Sequence, residues 1–122
     1  MTGPELLSSN TERTVQAKQI IIHTLPTLDR DNVLGILGFG SFWLALKKNP
    51  GDIDLAIFAN NDMVFLDNDR PKITKPLTDQ FNLPVQFHVL TPYTPMVKHQ
   101  LAEYRMYLKE YINLYGKAPT WL

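Results

Sequence analysis

Residues 33–59, VLGILGFGSFWLALKKNPGDIDLAIFA, hold two apolar runs joined through a Gly-Ser pair, and the second run is opened by two aspartates. Val33 to Leu37 is a short continuous apolar run, suited to a strand buried on both faces. A second strand is expected from about Ile53 to Phe58. Strand side chains alternate, so Asp52, Asp54, Ala56 and Phe58 share one face while Ile53, Leu55 and Ile57 share the other, packed face. Two carboxylates then point the same way. Gly35, Gly38 and Gly40 punctuate the first run, where glycine marks a bulge, a close approach of backbone or ligand, or plain turn chemistry. Phe42 to Lys48 predicts two turns of helix starting just after Ser41 and stopping before the turn-forming Asn49-Pro50-Gly51.

The remaining segments read as scaffold around this stretch. After a loose lead-in over residues 1–7, Ser9-Asn10-Thr11-Glu12 fits a capping box and predicts a helix start. Val15, Ile21, Ile22 and Leu25 give that helix an apolar side, Arg13, Gln16, Lys18 and Gln19 face water, and Pro26 ends it. His23, near its end, is read as a surface or capping residue. Residues 60–72 are turn-rich and read as irregular; Asp67-Asn68-Asp69 lacks the glycine and closing glutamate of an EF-hand and reads as a solvated loop. Pro76 at a first helical position predicts a short helix from Lys75 to Asn82. Leu83 to Leu90 predicts a third strand, with Val85, Phe87 and Val89 on one face and Gln86, His88 and Leu90 on the other. Val97, Leu101, Tyr104, Leu108, Tyr111 and Tyr115 recur at three and four, predicting one long helix from Met96 to Tyr115 that stops at Gly116.

Composition narrows the function classes. A chain of 122 residues suits a single domain, 1–122, with any site small or shared. Twelve Lys and Arg balance twelve Asp and Glu, so no overall field draws nucleic acid or an anionic membrane, and general nucleic-acid binding is disfavoured. The lack of cysteine excludes disulfides, thiolate zinc sites and a cysteine nucleophile. No signal peptide and no apolar run near the ~20 residues of a membrane span are evident, so a soluble, cytoplasmic protein is expected.

The chemistry belongs to the first stretch. Carboxylates two apart on one strand can hold one or two magnesium ions from a rigid base. A Gly-Ser turn opening a helix offers backbone amides and a hydroxyl to phosphate oxygens. A strand, Gly40-Ser41, ten residues, then Asp52-x-Asp54 leading an apolar strand resembles the nucleotidyltransferase superfamily that includes DNA polymerase β and the minimal nucleotidyltransferases. The resemblance spans residues 10–115 and implies an α+β fold, a small mixed sheet of three to four strands with helices packed on one side. It implies that Gly40 and Ser41 bind the β and γ phosphates of an NTP, ATP by analogy, and that Asp52 and Asp54 bind Mg2+.

Two departures accompany the match. In the family a third carboxylate comes from a later strand; here His88 stands in that place, with Gln86 the alternative on the same face. Many relatives also carry an arginine soon after the serine, whereas Phe42 and Trp43 follow here, leaving Lys47 and Lys48 as the nearby cations. With His88 assisting the acceptor, the first reading is magnesium-dependent transfer of a nucleoside monophosphate to a hydroxyl of a protein, nucleic acid or small molecule. The second is a catalytically silent domain of this fold that binds a nucleotide or a protein as a regulator. The third is an α/β domain in which Asp52 caps a turn and Asp54 pairs with a lysine. Minimal relatives often serve as antitoxins beside a helical partner, and Tyr104, Tyr107, Tyr111 and Tyr115 mark the helix through which a partner would bind.

Overall fold

The structure is a computed structural model that describes residues 3–44 and 48–122, with side chains from residue 12 onward. Val33–Phe39 forms the first strand, β1, in which every residue except Leu34 is buried. Its amides and carbonyls have no water, so both edges must be paired. The second strand β2, Ile53–Ala59, takes one edge antiparallel, and β4, Ile112–Gly116, takes the other, also antiparallel. The third strand β3, Val85–Leu90, adds to β2 in parallel, giving the order β3-β2-β1-β4.

The two faces divide as strand alternation requires. Ile53, Leu55 and Ile57 of β2 face the main core, which also holds Ala17 and Ile21 of helix α1 (Gly3–Thr24), Phe42 and Trp43 of α2 (Gly40–Trp43), and Phe65, Ile73 and Leu77. Each of the buried Ile, Leu and Phe side chains stabilises by about 2 kcal/mol through burial. The second face carries Leu37, Phe39, Ala56 and Leu90, covered in part by Tyr104 and Leu108 and by the C-terminal Ala118, Trp121 and Leu122. Arg105 fastens that tail through two hydrogen bonds to the Trp121 carbonyl, at 3.0 and 2.7 Å. No helix among the described residues is long and apolar enough to cross a membrane.

Several segments differ from the sequence expectations. The helix α1 takes in residues 3–7 of the expected lead-in and has Ser9 inside it; residues 1 and 2 and the Ser9 side chain lie outside the described residues. Val15 and Ile22 are exposed, and the buried stripe runs instead through Ala17 and Ile21. Residues 60–72 are not a loop. They form α3 (Asp62–Val64), a π-helical turn (Phe65–Asp69) and the start of α4 (Arg70–Phe81), with Pro71 in the first turn of α4 and Pro76 inside it. Asp69, expected in solvent, is fully buried; its carboxylate accepts from the Asp29 amide at 3.2 Å and pairs with Lys72 at 3.6 Å.

The largest correction is at the C-terminal end. The expected helix over 96–115 stops at Tyr107, as α5 (Lys98–Tyr107), and Ile112–Gly116 is β4. Ile112, Leu114 and Gly116 alternate as well as they fit a helical spacing, so the local pattern is compatible with both. The open edge of a strand buried on both faces decides for the sheet. Gly116 therefore ends a strand rather than a helix, at a φ of +64°.

Gly38 ties β1 to α2. A β-carbon there would stand 2.6 Å from the Trp43 ring, which is 2% exposed. Gly38→Ala is expected to lower stability by about 1–3 kcal/mol through overpacking, seen as a drop in thermal midpoint with the folded far-UV circular dichroism unchanged.

Candidate active site

Antiparallel β1 and parallel β3 bring three strand positions to one end of β2. The end of β1, the start of β2 and the start of β3 lie together, and Phe39, Asp54 and Gln86 form one row across the sheet. Asp52 precedes this row and Gly40-Ser41 follows Phe39 directly. Leu37, Ala56 and His88 make the next row inward. The sheet therefore gathers the residues on which the sequence reading placed the chemistry.

Gly40 locks the turn against the carboxylate. Its φ is +78°, a left-handed value that side chains rarely adopt, and a β-carbon there would lie 2.8 Å from Asp54 Oδ2. Glycine is required twice over. Ser41, half-buried, sits in the single turn of α2, where the first amides have no acceptor within the helix. The expected helix over 42–48 is thus shorter and starts earlier, at Gly40. Lys47 lies outside the described residues, and Lys48 is exposed with its backbone carbonyl held by Arg13.

The two aspartates interact with each other. Partial burial, then the charge of Asp52 and a hydrogen bond shared with it, push the Asp54 carboxyl up to about 6. Among the described residues the ion pairs are Lys72–Asp69 and Lys75–Asp79, so Asp54 does not pair with a described lysine. The third reading, in which Asp54 pairs with a lysine, therefore finds no such pair among the described residues. Two oxygen-donor side chains held this close, and mutually repelling once ionised, have the chemistry of a hard divalent-cation site. No group of three or more His, Cys, Asp or Glu residues suited to a metal ion gathers among the described residues.

The third position is divided between two residues. Gln86 is level with Asp54 and exposed, while His88 is one row further in. The imidazole meets Phe39 edge-on with ring centroids 5.3 Å apart, and Tyr104 and Tyr107 at 6.1 and 6.3 Å. Ala56, the β2 partner of His88 in its own row, has only a methyl group, so no large side chain stands beside that diagonal contact. Burial lowers the His88 pKa and the charge of Asp52 partly opposes this, so the ring is neutral at pH 7. It can accept a proton.

Sequence reasoning missed Arg13, which it placed in water. The guanidinium donates to the Lys48 carbonyl at 3.0 Å and, at 3.5 Å, to the Phe42 carbonyl, and lies 4.9 Å from the Phe42 ring centroid. Burial lowers its pKa. Arg13 thus ties α1 to Phe42 in α2 and to Lys48 beyond it. The available signal was its position four residues before Ala17 and eight before Ile21, on the buried stripe. A groove of about 490 Å³ lined by Gln16, Ile20, His23 and Pro76 lies elsewhere, between α1 and α4, in the layer on the other sheet face. His23 there is exposed, bonded to the Gln19 carbonyl at 2.8 Å.

No protein-family model matches the sequence, and no curated protein matches it. Solved structures do. A chain in the structure of tri-AMPylated Shewanella oneidensis HEPN toxin in complex with MNT antitoxin is similar with a TM-score of 0.52 and 16% identity, over 85% of this chain and 73% of that one. A chain of a toxin-antitoxin structure with AMP-PNP is similar with a TM-score of 0.51 and 19% identity, over 82% and 73%. The chain shares the fold of these chains. The α+β architecture with a small mixed sheet was expected, and the second face gains a partial cover from α5 and the tail.

The raised Asp54 pKa has a stability consequence. The folded state holds a proton that the unfolded chain, at 3.8, releases, so stability falls as pH rises from about 4 to about 6. Asp54→Asn is expected to flatten that slope and to raise stability above pH 6 by about 1 kcal/mol, allowing for the solvent that still reaches the group. Urea unfolding across pH 4–8 measures the difference; parallel profiles for the two proteins would contradict it.

Proposed function

We propose that this protein is a magnesium-dependent nucleotidyltransferase that moves a nucleoside monophosphate from an NTP, ATP by resemblance, to a hydroxyl. The observation that carries the reading is the close approach of Gly40 to Asp54, which puts the Gly-Ser turn beside one of the two carboxylates. Asp52 and Asp54 would hold Mg2+, which when bound neutralises phosphate charge and aligns the triphosphate for in-line displacement. Gly40 and Ser41 would take the β and γ oxygens through backbone amides and the serine hydroxyl. Arg13 holds Phe42, directly after Ser41, to α1, and His88 would accept the acceptor's proton.

A second reading is favoured by a specific absence. No third carboxylate joins Asp52 and Asp54 among the described residues, and His88 is enclosed by three aromatic rings. A domain that binds a nucleotide or a protein partner without turnover, as an antitoxin-like regulator, fits these facts. The fold neighbours come from toxin-antitoxin structures, one with AMP-PNP, which supports nucleotide and protein partners of either kind. The tyrosines do not form one docking stripe, however: Tyr104 and Tyr107 are on α5, Tyr111 follows it and Tyr115 is on β4.

The two readings separate in one assay. Wild type incubated with α-labelled ATP, magnesium and candidate acceptors is expected to transfer label, and the double variant Asp52→Asn, Asp54→Asn to give background. Equal labelling by both proteins would refute the transferase. Magnesium-dependent ATP binding without any transfer would select the regulator.

A further inference from the structure

The chain path brings a hydroxyl back to the carboxylate end of the sheet. β3 runs parallel to β2 and carries the chain away from Asp52, α5 follows, and β4 opens with Ile112 opposite Gly38, two residues before Gly40. The last turn of α5 thus precedes a return to the site. There Tyr104 and Tyr107, three apart and so neighbours on one helix side, both meet the His88 ring, which Phe39, the register partner of Asp54, also meets. Tyr104 packs into the second-face cluster, whereas Tyr107 is 48% exposed. Its ring lies beside the imidazole, and the residue is half exposed.

We propose that Tyr107 accepts the nucleotidyl group in cis, so that the chain modifies itself beside its own site. Self-modification presupposes the nucleotidyl transfer proposed above. The Tyr107 oxygen attacks the α-phosphorus of a nucleoside triphosphate, forming an O–P bond as the bond from that phosphorus to the α,β-bridging oxygen breaks. Pyrophosphate leaves with the bridging oxygen, and the phenolic proton passes to His88 and on to water; nothing is oxidised or reduced. No residue of α5 is fully buried, so few contacts resist the shift that brings the phenol to the phosphorus. The product places a phosphodiester anion near Asp52 and Asp54, where it hinders a second nucleotide. The modification limits itself.

The experiment incubates wild type, Tyr107→Phe, Tyr111→Phe and His88→Gln with α-labelled ATP and magnesium, and maps the adduct by peptide mass spectrometry. Equilibrium dialysis of the same ATP against wild type and Asp54→Asn runs in parallel. Wild type and Tyr111→Phe are expected to carry AMP on Tyr107 at a rate per molecule unchanged by dilution. Tyr107→Phe keeps the ring on His88 and loses the label, and His88→Gln slows labelling about a hundredfold. An adduct on another residue, or magnesium-ATP binding by wild type with no adduct, overturns self-modification and leaves the transferase reading standing. Failure of wild type to bind magnesium-ATP at all overturns both.

Discussion

The close approach of the Gly40 backbone to the Asp54 carboxylate is the constraint on which this site depends. It requires a residue without a β-carbon at a left-handed φ, at the one place where β1 turns into α2. Because β1 and β2 are antiparallel, the turn that ends one strand necessarily meets the start of the other. The strand register then fixes the remainder: Phe39 beside Asp54, Gln86 across from it, and His88 one row inward.

The site holds charge under tension. Two acids share one partly buried end of a sheet, with the Asp54 proton retained to about pH 6 and no described lysine to relieve it. A purely structural role would favour a cation or a neutral residue at one of these positions, since like charges in a poorly solvated place weaken the fold. Proteins keep such arrangements where a ligand supplies the missing positive charge. The neighbouring face answers with aromatic rings rather than with a third acid, and His88 is neutral among them.

Polar anchors hold the surrounding segments. Arg13 fastens Phe42 of α2 to α1, and buried Asp69 and its partner Lys72 bind the connection before β1, with Lys72 donating to the Thr27 carbonyl at 2.7 Å. Asn32 exchanges hydrogen bonds with Asn61 at 2.8 and 3.0 Å, joining the start of β1 to the end of β2. All three act between segments distant in the chain. Each was read from sequence as solvent-facing or left without a role, because a polar residue's partner cannot be inferred from its neighbours.

The sequence by itself determined the two central strands, the face of each residue in β2 and β3, and the joint appearance of Gly40, Ser41, Asp52, Asp54 and His88 on one face or turn. Alternation and glycine chemistry are local, and they carry across. What only the tertiary structure decided was whatever two local patterns fitted equally well. Residues 112–116 became a strand because β1 had an open buried edge. Residues 62–72 became helix because Phe65 had a core to enter and Asp69 had the Asp29 amide and Lys72 to meet. Arg13 is part-buried because Phe42 presents a carbonyl and a ring to it and Lys48 a second carbonyl, and Gln86 rather than His88 came level with Asp54 because parallel pairing fixed that register.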